Sequence, residues 1–376
     1  MRVLFTTTSG RGHFQPMIPL ARAFAGAGHE VRWAGAEQAC VQLRKSGFDA
    51  EPAGLFEIEP SPLRNPPAEI AALPPAERPQ HLFAIVFGPL RAERMLADLM
   101  PIVASWEPHL LISEQAELAG PIAAARHGIP NATHAFGRLL PAARVDRARE
   151  SMAELWRAHG LEPRPYGGTY DHLYVDIYPP SLQAEDTAHL GAVQLVRPAD
   201  PIESDGTAAP LVYVTLGTVF NDDITLFQVA VEAARDLGMR VVVTLGPGND
   251  PALLGPQPSH VEVERFVPQA ELLPACAAVA SHAGSGTFLA ALAAGVPQVL
   301  LPQAADQFLN AQAGEEGGVA IAVVRAEVSV ARVREALERV IGDHSFRRAA
   351  ERVRAEITAM PAPEAVVAQL ERSFAH

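Results

Sequence analysis

Short runs of valine, isoleucine and leucine alternate along this chain with stretches that have the pattern of amphipathic or alanine-rich helices. Near the start, residues 2–8 predict a strand, residues 15–28 a helix that ends at Gly28, and residues 30–35 the next strand. Strands that are crossed by helices in this way form a parallel sheet covered on both faces. The alternation therefore predicts an α/β fold, and it constrains the chain more than any other feature.

Two segments of the first half depart from the alternation. Residues 53–99 and 137–174 are punctuated by prolines and have less regular patterns. Insertions of this kind usually line a binding site or cover a face of a domain. The apolar run of residues 81–90 and Phe136 are candidates for the wall of a pocket, although core packing is the alternative for both.

The alternation restarts in the second half, which predicts two domains. A polar, proline-rich stretch, residues 197–210, separates the two series, and few contacts cross linkers of this composition. We expect a first domain over residues 1–200, a second over 201–350, and a C-terminal helix over 351–376 that packs back towards the first. Two open sheets in series predict a cleft between the domains, where the carboxyl ends of their strands meet.

Composition and charge limit the expected partners. Of the 376 residues, 48% are hydrophobic and 19% are charged, which favours a chain that folds throughout. The net charge of −13 repels nucleic acid and anionic membranes, so we expect neither as a partner. Cys40 and Cys276 are far apart and lack the spacing of a metal site, so we expect them to be buried side chains.

The chain also lacks the sequence features of an exported or membrane-spanning protein. Its first residues contain no long apolar signal core. The longest nearly uncharged run, residues 288–305, approaches the length of a membrane span, but Gly295 and Pro297 divide it into a short helix and a short strand. We therefore expect a cytoplasmic protein.

The motif His-Ala-Gly-Ser-Gly-Thr at residues 282–287 joins a predicted strand to a predicted helix. The free NH groups of the first helical turn and the helix dipole point at one spot there, which suits a phosphate. The glycines allow close approach of the backbone, and the hydroxyls and the imidazole NH can donate to anionic oxygens. The candidate anion-binding residues are His282, Gly284, Ser285, Gly286 and Thr287. The alternative is an ordinary strand-to-helix turn in which Ser285 caps the helix.

Two further elements belong to the same predicted sheet edge. Gly217 and Thr218 follow the first strand of the second domain and are candidates to face the same phosphates. Asp306 and Gln307 follow the strand at residues 297–302 and offer a carboxylate and a carboxamide, which suit the vicinal hydroxyls of a sugar. Taken alone, each element is also compatible with a solvated loop.

In the first domain, His13 stands at the head of the predicted helix, within "GRGHFQP". A dinucleotide-binding fingerprint would need glycine where Gln15 stands, which argues against an oxidoreductase. A histidine with a pKa near 6.5 is a workable base at neutral pH, although packing or capping is the alternative role. Such a base needs a carboxylate partner, and Glu114 and Glu117, just after the strand at residues 109–113, are the two candidates.

With these motifs the chain resembles the antibiotic, or macrolide-type, family 1 glycosyltransferases, such as bacterial natural-product enzymes of enediyne biosynthesis. The resemblance covers nearly the whole chain and rests on "GRGHFQPMIPLARAFAGAGHEV", "VYVTLGT" and the long segment from "VERFVPQ" to "AADQFLNA". It implies the GT-B fold, in which two Rossmann-like doubly wound domains face each other across a cleft.

The resemblance also implies roles for single residues. His13 would deprotonate the acceptor hydroxyl with support from Glu114, where the family commonly has aspartate. Phe266 and Val267 would meet the nucleobase, with Gln269 nearby. Plant members have a tryptophan in this region where this chain has "RFVPQ". The diphosphate would lie against residues 282–287 and Thr218, and the donor sugar would lie against Asp306 and Gln307.

The implied reaction is an inverting transfer of a hexose or deoxyhexose from a nucleoside diphosphate sugar to a small hydrophobic natural product, such as a polyketide. Thymidine diphosphate is the first expected donor nucleotide and uridine diphosphate the second. The donor is a co-substrate, so no cofactor and no metal are expected, and a homodimer is compatible with the resemblance. The alternatives are a catalytically silent partner protein with the same fold, a sugar-nucleotide epimerase and a lipid-directed transferase.

Overall fold

The computed structural model describes residues 1–54, 66–73, 77–184, 186–200, 209–217, 224–246 and 249–374. The chain divides into two compact units. The first consists of Met1–Ile177, Ala184–Val196 and Pro361–His376, and the second of Tyr178–Gln183 and Arg197–Met360.

A parallel sheet of seven strands forms the centre of the first unit, in the order β3-β2-β1-β4-β5-β6-β7. Its strands are β1 (Arg2–Thr7), β2 (Glu30–Gly35), β3 (Asp49–Pro52), β4 (Leu110–Glu114), β5 (Asn131–His134), β6 (Leu173–Asp176) and β7 (Ala192–Leu195).

Helices follow the strands of this unit along the chain, with 3₁₀ turns at Gln15–Met17 and Pro165–Gly168. They are α1 (Arg11–Phe14), α2 (Ile18–Gly26), α3 (Glu37–Lys45), α4 (Ala68–Ala71), α5 (Arg78–Phe87), α6 (Pro89–Trp106), α7 (Gly120–His127), α8 (Ala142–Ala158) and the last helix of the chain, Pro363–Phe374, which we label α15 after those of the second unit. This last helix packs on α2, where His29 Nε2 and Glu371 Oε1 are 2.7 Å apart.

A parallel sheet of six strands forms the centre of the second unit, in the order β10-β9-β8-β11-β12-β13. Its strands are β8 (Leu211–Thr215), β9 (Arg240–Thr244), β10 (Val261–Glu264), β11 (Cys276–Ser281), β12 (Gln298–Leu300) and β13 (Ala320–Ala322). Its helices are α9 (Ile224–Arg235), α10 (Gln269–Leu272), α11 (Ser285–Ala293), α12 (Gln307–Glu316), α13 (Val330–Gly342) and α14 (His344–Ala359). Its 3₁₀ turns are Pro180–Leu182, Pro251–Leu254, Leu273–Ala275 and Arg325–Glu327.

The strands are rich in apolar residues because both faces of each sheet are covered. In β8, Val212 and Val214 belong to one core cluster, which includes residues of α9 and α13. Leu211 and Tyr213 belong to a second cluster, which includes Val279 of β11. Successive side chains of a strand point to opposite faces, so one short apolar run contributes to both cores.

Each sheet reverses its strand order at one place, between β1 and β4 in the first unit and between β8 and β11 in the second. Thr6 pairs with Ser113 at the first reversal, and Thr215 pairs with Ser281 at the second. In each sheet, the loops that follow the two strands emerge at the carboxyl edge of that sheet, where open α/β sheets bind their ligands. The predicted residues His13, Glu114, Gly217 and His282 follow or end these four strands.

The structure corrects some expectations from the sequence and confirms others. Residues 137–174 are more regular than expected, since they contain the 17-residue helix α8, and residues 53–99 contain α5 and the start of α6. Glu114 is the last residue of β4 and does not follow it. Residues 288–305 divide, as predicted, into the end of α11 and strand β12. Within the described ranges, no helix is both long and apolar enough to cross a membrane.

Candidate functional site

The position of His13 is set by the tight turn between β1 and α1. Gly10 is the N-cap of α1, and His13 N donates to Gly10 O at 2.9 Å. A Cβ atom at Gly10 would lie 2.6 Å from His13 Cδ2, closer than such atoms approach. Glycine is therefore required at this position for the imidazole ring to lie where it does.

The His13 ring contacts a buried carboxylate. His13 Nδ1 and Glu114 Oε1 are 3.0 Å apart, and the Glu114 side chain has no solvent exposure. Because a carboxylate accepts hydrogen bonds, we assign the ring hydrogen to Nδ1, which leaves the basic lone pair on Nε2. Glu114 thus orients the ring and can stabilise its protonated form.

The charge of Glu114 is maintained in spite of its burial. Burial alone raises the pKa of this carboxyl, but the charge and hydrogen bond of His13 and the donors around it bring the pKa below its usual value. These donors are Thr8 Oγ1 at 2.8 Å and Ala116 N at 2.6 Å. Glu114 is therefore a carboxylate at neutral pH.

Glu117, the second candidate from the sequence, has other partners. Its Oε2 accepts from Thr6 Oγ1 at 2.6 Å, and its Oε1 accepts from Ala119 N at 2.7 Å. Gly120 N, at the start of α7, lies within 3.2 Å of both oxygens. Burial raises the pKa of Glu117 to about 7. Glu117 holds the start of α7, and Glu114 is the carboxylate that contacts His13 Nδ1.

Two aromatic rings lie close to the imidazole of His13. The ring centroid of His13 lies 4.8 Å from that of Phe136 and 5.5 Å from that of Phe87. Phe87 also belongs to a pocket at the carboxyl edge of the first sheet. This pocket is lined by Thr7, Thr8, Ala36, Ala53, Gly54, Phe87, Arg91, Ala92, Met95, Ala116, Glu117 and Leu118. Phe87 thus contacts the His13 ring and also lines this pocket.

In the second unit, the predicted phosphate motif forms a tight turn between β11 and α11. Ala283 has a φ of +65°, in the left-handed region that L-residues other than asparagine and aspartate rarely adopt. Gly284 is the N-cap of α11 and has no side chain with which to cap the helix. The NH groups of the first turn of this nine-residue helix are therefore available to an anion.

The ring of His282 lies between two glycines of this edge. A Cβ atom at Gly217 would lie 2.5 Å from His282 Cε1, and one at Gly284 would lie 2.4 Å from His282 Nε2. Gly217 also has a φ of +76°. Burial lowers the pKa of His282 to about 4, so the ring is neutral at pH 7 and offers one NH donor.

Several side chains of the predicted donor site bind one another. Ser285 Oγ donates to Asp306 Oδ2 at 2.7 Å, so in this arrangement its hydrogen is directed at the carboxylate. Gln269 Nε2 donates to Thr287 Oγ1 at 2.9 Å. The structure thus brings the 282–287 turn, the start of α10 and the Asp306 loop together. Gln307 Oε1 accepts from the NH groups of residues 303 and 304, which leaves its amide nitrogen as the possible donor to a ligand.

The predicted nucleobase residues lie in the loop between β10 and α10. Phe266 is 60% exposed, so its ring is accessible to a stacking partner. Val267 is partly buried and packs against the cluster that includes Leu211 and Tyr213. Thr218 lies outside the described residues.

Sequence reasoning missed four residues that support these groups. Thr8 donates to Glu114, and His134 lies beside Glu114 on the neighbouring strand β5, where the two residues are paired in register. In the second unit, Asn310 donates a hydrogen bond to Ala283 in the 282–287 turn, and Tyr178 donates one to Asn310. The one sequence signal for Asn310 is its position four residues after Asp306, which places both on one face of a helix.

Among the described residues, no three histidine, cysteine, aspartate or glutamate side chains are grouped as a metal site requires. That catalysis requires no metal ion stays a prediction, because the grouping of side chains does not test the reaction.

Comparisons with known proteins show the family of this chain. Residues 78–198 match the N-terminal domain, and residues 228–372 the C-terminal domain, of the erythromycin biosynthesis protein CIII-like family. The chain is 33% identical over 380 residues to the L-demethylnoviosyl transferase of Streptomyces niveus, with 98% of this chain and 97% of the relative covered. It is 30% identical to the 10-deoxymethynolide desosaminyltransferase of Streptomyces venezuelae, with 99% and 97% covered.

Solved structures give the same result for the fold. The glycosyltransferase VinC, solved in complex with DTDP, superposes with a TM-score of 0.80 at 27% identity, with 100% of each chain covered. The spinosyn rhamnosyltransferase SpnG superposes with a TM-score of 0.81 at 29% identity, with 99% of this chain and 100% of that chain covered. The chain therefore belongs to the erythromycin CIII-like family of natural-product glycosyltransferases, and it is a glycosyltransferase with the GT-B fold.

Proposed function

We propose that this glycosyltransferase moves a deoxysugar from a thymidine diphosphate donor to a hydroxyl of a polyketide or similar natural product, with inversion at the anomeric carbon. Its relatives include enzymes named for the transfer of demethylnoviose and desosamine. Structures of VinC and SpnG contain thymidine diphosphate. The ligands of these structures support thymidine diphosphate as the first donor nucleotide to test. Uridine diphosphate is the second to test.

The observation that carries the proposal is the hydrogen bond between His13 Nδ1 and Glu114 Oε1, at 3.0 Å. It leaves Nε2 as the base, and the charged carboxylate stabilises the imidazolium that forms when the base accepts a proton. In this proposal, Glu114 takes the place of the aspartate that is common in the family.

The second unit holds the donor in this proposal. The NH groups at residues 284–287 and the neutral His282 ring bind the diphosphate, whose negative charge increases as it leaves. Phe266 and Val267 contact the nucleobase, with Gln269 bound to Thr287 beside them. Asp306 and the amide nitrogen of Gln307 bind the sugar hydroxyls.

The reaction is a single displacement. The acceptor hydroxyl transfers its proton to His13 Nε2 while its oxygen forms a bond to the anomeric carbon. The bond between that carbon and the diphosphate oxygen breaks, and the electron pair leaves with the nucleoside diphosphate. Attack on the face opposite the leaving group inverts the configuration of the carbon.

The proposal requires no metal ion. Backbone NH groups and an imidazole NH supply the charge stabilisation that a divalent cation would otherwise give to the leaving diphosphate. These donors are fixed by the fold, so they need not reorganise during the reaction.

The acceptor is expected to be apolar and at least partly aromatic or macrocyclic. The rings of Phe87 and Phe136 both lie close to the His13 ring, and an apolar acceptor would pack on them. One SpnG structure contains spinosyn aglycone, which supports a macrocyclic acceptor as one class to test.

The test is a transfer assay on the purified protein. Thymidine and uridine diphosphate sugars are combined with macrolactone and aromatic polyketide aglycones, with and without EDTA, and products are detected by mass spectrometry. The proposal expects glycoside only when donor and acceptor are both present, an inverted anomeric centre by NMR, and no effect of EDTA. Retention of configuration, or an EDTA-sensitive reaction, would contradict the mechanism.

A further inference from the structure

Asn310, a residue of α12 with no assigned role, is buried beside the turn at residues 282–287 and has no solvent exposure. Its Nδ2 donates to Ala283 O at 2.9 Å and to Ser285 Oγ at 2.9 Å. Asp306 Oδ2 is more distant, at 3.4 Å. The two hydrogens of the carboxamide are therefore directed at the two residues that flank Gly284.

The bond to Ala283 matters because this residue has an unfavourable conformation. Its φ of +65° places an alanine in the left-handed region, and such conformations persist when the surrounding structure holds them. Ala283 is completely buried, and its carbonyl accepts the Asn310 hydrogen bond. Without that bond, the turn could relax to ordinary backbone angles and the first-turn NH groups of α11 would point elsewhere.

The bond to Ser285 continues into a chain of hydrogen bonds. Tyr178 OH donates to Asn310 Oδ1 at 2.9 Å, Asn310 donates to Ser285 Oγ, and Ser285 Oγ donates to Asp306 Oδ2 at 2.7 Å. Asn310 and Ser285, the two middle groups of this chain, each accept from one neighbour and donate to the next, which strengthens the bonds. The chain links the predicted diphosphate turn to the predicted sugar-binding carboxylate.

Tyr178 is fixed in turn by α11 and by its own segment. Its ring stacks on Phe288, with centroids 6.2 Å apart and planes 20° apart. Three residues further along, Ser181 N and Oγ donate to the carboxylate of Glu356 at 2.8 and 2.5 Å. Tyr178 therefore provides a rigid anchor for the Asn310 carboxamide.

We propose that Asn310 is a positioning residue that holds the 282–287 turn in the conformation in which the NH groups of α11 bind the donor diphosphate, with Tyr178 as its anchor. The inference rests on the proposed function in that it assigns the diphosphate to this turn. It adds that the affinity for the diphosphate depends on a side chain that does not contact the ligand.

The test compares affinities for inorganic pyrophosphate, thymidine diphosphate and thymidine, measured by calorimetry or NMR. Asn310→Ala removes both donated bonds, and Asn310→Asp keeps the shape but replaces the donor with an acceptor. Each is expected to weaken pyrophosphate and thymidine diphosphate binding by about tenfold or more, while thymidine affinity changes little. A loss confined to ligands with phosphates separates positioning of the turn from general damage to the unit.

Tyr178→Phe is the milder variant, because it keeps the stacked ring and removes only the hydroxyl. We expect a loss of about threefold in pyrophosphate affinity. This variant decides the question if the Asn310 variants do not fold. Gln312→Ala is the matched control, since Gln312 is an exposed carboxamide of the same helix that bonds Glu316.

The outcomes separate this inference from the proposed function. If the wild-type chain binds none of the phosphate ligands, the assignment of a diphosphate donor is wrong, and the inference falls with it. If the wild type binds them and Asn310→Ala, Asn310→Asp and Tyr178→Phe bind them as tightly as Gln312→Ala does, the proposed function stands and the inference is overturned. An equal loss for thymidine and for the phosphate ligands would also overturn it.

Discussion

His13 and Glu114 are 101 residues apart in the chain, yet Nδ1 of one lies 3.0 Å from Oε1 of the other. They meet because β1 and β4 are neighbours at the place where the strand order of the first sheet reverses. The carboxylate fixes the tautomer and the direction of the imidazole ring.

Replacing His13 tests the proposed base. His13→Ala is expected to lower turnover by about 10²- to 10⁴-fold, because no other group would take the acceptor proton. Thymidine diphosphate affinity should stay nearly unchanged, since the donor contacts are assigned to other residues. Steady-state kinetics and calorimetry measure the two effects. Equal losses of turnover and nucleotide affinity would count against the role.

The two buried glutamates form a matched pair. Glu114→Gln removes the charge beside His13 and should lower turnover by roughly 10²-fold, because the imidazolium loses its stabilising partner. Glu117→Gln should lower the free energy of unfolding by about 1 kcal/mol, because it weakens the bonds to Thr6 and α7, and leave turnover within a few-fold. Chemical denaturation and kinetics on both variants check this. The opposite pattern would make Glu117 the supporting carboxylate.

A substitution at Gly10 tests whether turnover depends on the direction of the His13 ring. A Cβ atom there would lie 2.6 Å from His13 Cδ2, so Gly10→Ala must displace the ring. Turnover should fall by about tenfold or more, as expected when a reacting group is misplaced. A Cβ atom at Gly12 meets nothing within 4 Å, so Gly12→Ala serves as the control. Similar turnover in both variants would show that ring placement has little importance.

The burial of His134 should make the free energy of unfolding depend on pH. It is 1% exposed, and burial lowers its pKa to about 4 although Ala135 O accepts a bond from the ring. Since an unfolded histidine has a pKa near 6.5, unfolding takes up a proton below that value. The free energy of unfolding should therefore fall as pH decreases from about 6.5 to about 4, by up to about 3 kcal/mol from this residue.

The variant His134→Gln should flatten this part of the stability curve, and the exposed His172→Gln should leave it unchanged. Glu117 has the opposite effect, because its raised pKa makes the free energy of unfolding fall as pH rises from about 4.5 to about 7. Both variants retain Glu117, so the comparison between them isolates His134. Equal curves for wild type and His134→Gln would contradict the prediction.

The sequence predicted the strand β2 closely but missed three edge strands. Residues 30–35 were predicted as a strand, and β2 has these bounds. The strand β3, with the sequence Asp-Ala-Glu-Pro, lies at the edge of its sheet, as do β7 and the three-residue β13. Edge strands are shorter and less buried than central ones, so they lack the apolar run that identifies a strand in a sequence.

The helices in the proline-rich segments show a second limit. The prolines suggested irregular structure at residues 137–174, but Pro141 is the N-cap of α8. Likewise, α6 begins at Pro89. Proline is tolerated in the first turn, where the NH group has no helical partner, so a proline can mark the start of a helix.

For the site, the sequence predicted that residues 282–287 form a strand-to-helix turn, and the structure confirms this geometry. It could not predict that Ser285 donates to Asp306 or that Asn310 holds Ala283, because these contacts depend on how α12 packs beside α11. It also left Glu114 and Glu117 as alternatives. Only the fold decides which of two carboxylates, three residues apart, contacts a histidine in a different loop.

The most direct test of the account is a crystal structure of this protein with thymidine diphosphate. The account predicts that the phosphate oxygens lie within hydrogen-bonding distance of the NH groups of residues 284–287 and of the His282 ring. Phosphates bound at any other place in the protein would contradict it.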